Sequence, residues 1–407
     1  MDNLAIEFTN CPIFLYNQGM IKRHIAKNIL RLAKSFPVIS LTGPRQSGKT
    51  TLVKELFSKK YRYVSLEDLD VRAFANEDPR GFLEEYQKYV IFDEVQNAPD
   101  LFSYIQGIVD RDKLPGQFIL TGSQNFLLLE KISQSLAGRS AILHLLPLEL
   151  KEIQDAKISI PSLEEMLVKG FYPRLYEQTI RANEWYANYL KTYIERDIRQ
   201  IRNVHDLPTF QRFLKMCASR SGQLLDLISL GNDCGISHNT AKAWLNILES
   251  SFIVYFLRPH YKNYNKRLVK SPKLYFYDTG LLCSLLEITS SDQLKTHYLR
   301  GGIFETYVIG ELMKNQYHQL ATSSLYFWRD RHGHEVDCVI EKAGELIPLE
   351  IKSSKTIASD FFGNLRYWNQ LSGVSPDNSY LVYGGKQKQK RSEANVLGWQ
   401  DVNRIPL

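Results

Sequence analysis

Residues 38–57 read VISLTGPRQSGKTTLVKELF, an apolar run, a glycine-bounded loop and an amphipathic segment. The run at 38–42 is typical of a short buried strand, and the segment from Lys49 places Leu52, Val53 and Leu56 on one helical face. The loop at residues 43–50 fits G-x-x-x-x-G-K-[ST], and it lies between a strand and a helix as a phosphate-binding loop requires. A chance glycine-rich turn is the alternative that this context disfavours.

The motif predicts how each of its residues would hold a nucleotide. Its glycines let backbone N–H groups surround a phosphate, and the helix N-terminus adds its positive dipole end. We expect Lys49 to neutralise the β- and γ-phosphates of ATP and Thr50 to hold Mg²⁺. The expected nucleotide-binding residues are Gly43, Pro44, Arg45, Gln46, Ser47, Gly48, Lys49, Thr50 and Thr51.

A second apolar strand, YVIFDE at residues 89–94, ends in two carboxylates. Ligands of open α/β sheets bind at the carboxyl ends of the strands, so Asp93 and Glu94 are expected beside the loop. Asp93 suits the surroundings of Mg²⁺ and belongs to the predicted nucleotide and metal sites, whereas Glu94 can polarise the attacking water. The alternative is two acidic residues at an ordinary strand end.

Two further polar positions follow the same logic. In ILTGSQN at residues 119–125, Thr121 or Ser123 could sense the γ-phosphate. In SLAGRS at 135–140, Arg139 is a candidate arginine finger, which would contribute about 10³-fold in rate if it reached the phosphate. A solvated or helix-capping arginine is the alternative for Arg139.

The order of strands and helices predicts an α/β multidomain chain of 407 residues. Alternation between residues 20 and 155 indicates a parallel sheet with crossover helices. The expected units are an extension at 1–19, a P-loop core at 20–155, a helical lid at 156–230, a winged helix at 231–290 and a mixed α/β domain at 291–407. No apolar run approaches the roughly 18 residues of a membrane helix. Five dispersed cysteines favour a reducing compartment, so the expected location is the cytoplasm.

The segment at 224–257 reads as helix, turn, helix and strand, with Gly235 at the turn and Ser237 as the N-cap. Residues 250–277 contain no acidic residue. Their basic side chains, among them Lys266, Arg267 and Lys270, alternate with aromatic ones. This composition suits contact with DNA phosphates and bases. A winged helix that only packs within the protein is the alternative.

The carboxy-terminal stretch EVDCVIEKAGELIPLEIKSSK, residues 335–355, predicts a hairpin. If Ala343 and Gly344 form a two-residue turn, Asp337 lies opposite Glu350 on one face of the sheet. A divalent cation such as Mg²⁺ would relieve the repulsion of the two carboxylates, and Lys352 would share their face. A salt-bridged hairpin is the alternative.

These motifs resemble two known groups of proteins. Residues 20–300 look like the AAA-type P-loop ATPases of bacteria and archaea that carry an uncharacterised carboxy-terminal domain, through stretches such as LTGPRQSGKTTL, IFDEVQNAPDLF and GFYPRLYE. Lys169 stands where that family usually has a first glycine. The resemblance implies ATP binding, slow hydrolysis and self-association into a homo-oligomer.

The hairpin is similar to the PD-(D/E)-x-K nuclease fold. Asp337, Glu350 and Lys352 occupy its positions, Glu305 would add a helical carboxylate, and Val336 replaces the usual proline. The resemblance implies metal ligation by Glu305, Asp337 and Glu350, with Lys352 as a catalytic group. The expected function is therefore an ATPase that acts on nucleic acid. The alternative is an ATP-driven switch or scaffold whose nuclease-like domain binds a partner.

Overall fold

The computed structural model describes residues 20–123, 134–193, 204, 206–260, 270–321 and 324–407. Its amino-terminal part is a five-stranded parallel sheet in the order β2-β3-β4-β1-β5. The strands are β1 (Val38–Thr42), β2 (Arg62–Ser65), β3 (Val90–Asp93), β4 (Phe118–Gly122) and β5 (Ser140–His144). Strands β1 and β3 confirm the two strands named from the sequence, and the parallel pairing confirms the expected type of sheet, whereas β5 was not expected.

Helices connect these strands and cover both faces of the sheet. They are α1 (Ala26–Leu32), α2 (Lys49–Phe57), α3 (Leu69–Glu77), α4 (Pro79–Glu85) and α5 (Leu101–Asp112). Each face of the sheet packs against its own apolar cluster, and successive residues of the buried strands point to opposite faces. Val38 and Phe118 belong to one cluster, and Ile39 and Ile119 to the other. This is the two-sided burial that parallel strands require.

A helical segment follows the sheet and packs into the largest apolar core of the molecule. Its helices are α6 (Leu150–Asp155), α7 (Leu163–Lys169), α8 (Arg174–Glu177), α9 (Ala182–Tyr193), α10 (Leu207–Ser219), α11 (Leu227–Cys234) and α12 (His238–Ser250). Gly235 ends α11 in the left-handed region at φ 70°, and Ser237 caps α12 by accepting from the Thr240 N–H at 3.1 Å. Both local predictions are confirmed.

The remaining strands form one eight-stranded sheet in the order β12-β13-β11-β10-β9-β8-β6-β7. They are β6 (Val254–Pro259), β7 (Lys273–Phe276), β8 (Ser324–Arg329), β9 (Glu335–Lys342), β10 (Glu345–Lys352), β11 (Tyr380–Tyr383), β12 (Gln389–Lys390) and β13 (Asn395–Gly398). The accompanying helices are α13 (Thr279–Leu285), α14 (Ser291–Thr296), α15 (Arg300–Gln319) and α16 (Gly363–Ser372).

The junction between the expected winged helix and the last domain differs from the prediction. We expected residues 231–290 to form a unit separate from 291–407. Strand β6 instead pairs in parallel with β8, through Arg258 opposite Tyr326, so β6 and β7 extend the carboxy-terminal sheet. The basic positions Lys266 and Arg267 lie outside the described residues. Among the described residues, no helix is both long and apolar enough to cross a membrane.

Candidate nucleotide site

The loop after β1 has the backbone that its glycines permit. Gly43 adopts φ 153°, and a Cβ atom there would collide with the carbonyl oxygen of Leu145. Gly48 adopts φ 92°, a left-handed conformation at the N-cap of α2, where side chains with a Cβ are rarely tolerated. Both glycines are therefore required by the turn itself, before any ligand is considered.

Lys49 begins α2 and points back into this loop. Its Nζ donates to the carbonyl oxygens of Gly43 and Pro44, each at 2.9 Å, and the residue is 5% exposed. The fixed ammonium places a positive charge at the N-terminus of a helix, a place that already favours anions.

Asp93 joins three elements around the loop. Its Oδ2 accepts hydrogen bonds from Thr50 at 2.8 Å and from Tyr63 at 2.7 Å, and its Oδ1 accepts from Thr121. Thr121 is therefore engaged with Asp93. Thr50 and Asp93 together offer a hydroxyl and a carboxylate, the hard oxygen donors that Mg²⁺ prefers, so the residues present fit this ion.

Glu94 follows Asp93 in the left-handed region at φ 54°, which turns its side chain away from the strand. It accepts from Gln96 at 2.5 Å and from the Ser123 hydroxyl at 2.9 Å. Burial raises the pKa of Glu94, but the Lys49 charge and these hydrogen bonds outweigh burial and lower it below the ordinary value. The carboxylate is thus ionised at neutral pH and can accept a hydrogen bond from water.

Part of the loop, together with Glu94, lines a cavity of about 820 Å³ between the P-loop and the helical segment. Of the predicted residues, the lining includes Arg45, Gln46, Gly48, Lys49, Thr50, Thr51 and Glu94. Sequence reasoning missed the opposite wall, which α8 and α9 supply through Arg174, Trp185 and Tyr189. An aromatic pair on one helical face was visible in the sequence, but nothing local indicated that it would face the loop.

Arg139 does not reach this cavity within one chain. It precedes β5, and its carbonyl accepts from the N–H of Val38 at the start of β1, whereas the P-loop follows the end of β1. The guanidinium pairs with Asp110, with Nη2 at 2.8 Å from Oδ2. Within one chain Arg139 therefore lies at the amino-terminal ends of the strands and the P-loop at their carboxyl ends, so the arginine-finger role of Arg139 stays a prediction.

The carboxy-terminal hairpin has the predicted register. Ala343 and Gly344 both have positive φ, 50° and 87°, as a tight two-residue turn requires, and Lys342 pairs with Glu345. The pairing continues to Cys338 opposite Leu349, which brings Asp337 beside Glu350. Burial, together with the Glu350 and Glu305 carboxylates, raises the pKa of Asp337 well above its ordinary value.

Lysines occupy the space between these carboxylates. Lys352 donates to Glu350 at 2.6 Å, while Lys273 on β7 lies 2.9 Å from Glu305 and also pairs with Glu335. Lys273 is 2% exposed, so it is a partner of this cluster and not a surface phosphate contact as the basic run suggested. Its role had no local signal, since β7 lies far from the hairpin in sequence.

The face of α12 opposite its buried stripe is exposed. Ala241 and Trp244 are buried, whereas His238, Asn239 and Lys242 point to solvent. Tyr255, expected to stack on bases, is instead 3% exposed and stacked on Tyr275 at 5.5 Å. The described part of this region thus offers a polar helix face but not the predicted aromatic platform.

Three family models match successive parts of the chain. Residues 35–154 match the family described as AAA domain, and residues 160–292 and 300–402 match two domains of unknown function, DUF8612 and DUF4143. The uncharacterized protein Rv2008c of Mycobacterium tuberculosis is 31% identical over 339 residues, covering 82% of this chain and 74% of its own length. The uncharacterized protein MJ1544 of Methanocaldococcus jannaschii is 22% identical over 330 residues, covering 73% and 70%.

Among solved structures, the Walker-type ATPase Paby2304 of Pyrococcus abyssi aligns with a TM-score of 0.45 at 13% identity, covering 66% of this chain and 97% of that one. The fold and the loop define an AAA-type P-loop ATPase domain at the amino-terminal end. The chain as a whole belongs to the same family as Rv2008c.

Proposed function

We propose that the chain binds ATP with Mg²⁺ at residues 43–51 and hydrolyses it. The observation that supports the proposal is the pair of adjacent carboxylates at the end of β3. Asp93 accepts a hydrogen bond from Thr50, and the positive charge of Lys49 helps to keep the next residue, Glu94, ionised. Bound Mg²⁺ would neutralise charge on the phosphates.

In this mechanism the residues of the chain have separate tasks. Lys49 and the loop N–H groups would bind the phosphates, and Thr50 and Asp93 would hold the ion. Glu94 orients a water molecule and accepts its proton, since Gln96 and Ser123 fix the carboxylate. The cavity wall from α9 limits the access of other water.

The test separates binding from turnover. Glu94→Gln should keep ATP affinity within about twofold but lower turnover by about 10²-fold or more, because the amide cannot accept the proton. Lys49→Ala should lose both. Glu77→Gln, an exposed glutamate at the end of α3, is the matched control and should behave as the wild type. Normal turnover by Glu94→Gln would contradict the assignment.

A second function is supported by the hairpin register. We infer that the carboxy-terminal sheet acts on nucleic acid, because Asp337 lies beside Glu350 and the buried Glu350 Oε2 atom has no hydrogen-bond partner among the described residues. An uncompensated buried carboxylate oxygen is costly and suits a divalent cation, with Glu305 as a further donor and Lys352 nearby.

Cleavage assays with single- and double-stranded DNA and RNA, in Mg²⁺ or Mn²⁺, test this function. Wild type should cut and Asp337→Ala should not, while Glu345→Ala, exposed on the same hairpin, should match the wild type. Salt-dependent binding that Lys242→Glu and Lys270→Glu weaken, without cleavage by any variant, would favour the switch or scaffold instead.

A further inference from the structure

Four side chains meet where the ATPase core contacts helix α15. They are His24, Glu149, Glu152 and His318, and one potential ligand atom of each lies within 4.8 Å of the others. Among the described residues this is the group of His, Cys, Asp and Glu side chains compact enough to hold a metal ion. It is distinct from the P-loop and from the carboxylates of the hairpin.

His318 is a buried imidazole. The residue is 3% exposed, and neither ring nitrogen makes a hydrogen bond to the described part of the chain, although Nδ1 is within ion-pairing distance of Glu149. Its Nδ1 lies 3.2 Å from Glu149 Oε2, which directs the ring into the cluster. Burying a polar group without partners costs free energy, so a ligand for Nδ1 would remove a penalty that the protein otherwise carries.

His24 is oriented in the way that metal-binding histidines commonly are. Its Nε2 lies 3.0 Å from the Asp155 carboxylate, while its Nδ1 contacts Glu149 Oε1. The Asp155 carboxylate on Nε2 orients the ring. An ion bound between Nδ1 and Glu149 would take the place of the contact that these two groups now make. Glu149 thus has one oxygen toward each histidine.

Glu152 is already occupied by other partners. Arg23 Nε reaches both of its oxygens at 3.1 Å, the His24 backbone N–H donates to Oε1 at 2.8 Å, and the Glu149 N–H donates to Oε2 at 3.1 Å. We therefore exclude Glu152 from direct ligation. Its role is to position the backbone of His24 and Glu149.

We propose that His24, Glu149 and His318 form a binding site for a divalent transition metal ion of the zinc class. Two imidazole nitrogens and one carboxylate are the donors such an ion accepts, and three protein ligands leave a fourth position for water. The His24 side chain is 34% exposed and gives the ion a route of entry.

The bound ion would link distant parts of the chain. His318 is near the end of α15, and its carbonyl accepts from Asn28 Nδ2 at 2.8 Å. Arg23, adjacent to His24, donates to the Ser47 carbonyl of the P-loop at 2.7 Å. The site would therefore fasten the carboxy-terminal part to the segment that supports the nucleotide loop.

The test uses the full chain, stripped with a chelator and titrated with Zn²⁺ in competition with a chromophoric chelator. Wild type should bind one ion per chain, and elemental analysis after desalting should confirm it. His24→Gln and His318→Gln should each weaken binding by at least about tenfold, and Asp155→Asn should weaken it less. His238→Gln, an exposed histidine on α12, is the control and should bind as the wild type does.

A thermal measurement guards against misfolded variants. Zn²⁺ should raise the unfolding temperature of the wild type and of His238→Gln, but not that of His24→Gln. Because His24 is only half-buried, we expect His24→Gln to fold, and its unfolding temperature without metal checks this. Absence of stoichiometric binding by the wild type overturns the proposal. So does equal Zn²⁺ affinity in wild type and a folded His24→Gln.

Discussion

Thr50 donates a 2.8 Å hydrogen bond to Asp93, which ties the first turn of helix α2 to the end of strand β3. Tyr63 on β2 donates to the same carboxylate at 2.7 Å, and Thr121 on β4 donates to its other oxygen. One buried side chain therefore sets the spacing of three elements around the phosphate-binding loop.

Replacing this carboxylate should lower turnover. In Asp93→Ala, Thr50, Thr121 and Tyr63 lose their common acceptor, and the hydroxyl of Thr50 is no longer oriented. We expect ATP turnover to fall by about 10- to 100-fold, as for other groups that orient a metal ligand. Steady-state phosphate release measures it. Asp100→Ala, at an exposed position just before α5, should leave turnover unchanged.

For Arg139, in contrast to Asp93, we predict that substitution has little effect on turnover within one chain. Its guanidinium is ion-paired with Asp110 at the end of the strands opposite the P-loop, so Arg139→Ala should keep turnover within about twofold when the protein is dilute and monomeric. Turnover measured across a range of protein concentrations checks this. A loss of about 10³-fold that appears only at high concentration would show that Arg139 acts on a neighbouring copy.

The sequence predicted the parts of this molecule that local rules determine. The P-loop, the N-cap Ser237 and the Ala343-Gly344 turn each depend on a few adjacent residues whose backbone conformations are restricted. For the same reason the register of β9 on β10 could be counted from the turn, since the side-chain period of a strand is two.

Contacts between distant segments were not predictable in this way. His24 and His318 lie far apart in the sequence, in the first and last thirds of the chain, and Lys273 reaches Glu305 only because β7 joins the edge of the carboxy-terminal sheet. The sequence around each of these residues is also compatible with a position on the surface. Only the packing of α15 against the ATPase core decides otherwise.

Asp278 links the helical segment to α13 and should be important for stability. Its buried carboxylate accepts from Tyr186 at 2.6 Å, from the Phe171 N–H at 2.7 Å and from the Leu281 N–H at 2.8 Å. Asp278→Ala leaves all three donors unsatisfied, which should lower the free energy of unfolding by about 3 kcal/mol or more.

An exposed capping residue provides the comparison. Asp226 caps α11 through the N–H groups of Ile228 and Ser229, but water can replace it there. Asp226→Ala should therefore cost only about 1 kcal/mol. Urea denaturation of both variants measures the difference, and equal losses would show that the burial of Asp278 contributes nothing.

His144 should make stability depend on pH. The ring lies at the end of β5, bonded to the Thr42 hydroxyl at 2.6 Å and packed against Tyr317 at 5.0 Å between ring centroids. Burial lowers the pKa of His144 to about 4, below its ordinary value of 6.5. Between these two values the unfolded chain binds a proton that the folded chain does not, so stability is present above pH 6.5 and is lost as the pH falls toward 4.

The expected size of this effect is modest because the pH interval tested covers only part of the range between the two pKa values. From about pH 7.5 to about pH 5, the wild type should lose about 1 to 2 kcal/mol more unfolding free energy than His144→Gln, which cannot titrate. The difference between the two proteins cancels the other groups that titrate in this range. A parallel loss in both proteins would mean that His144 is protonated equally in the folded and unfolded states.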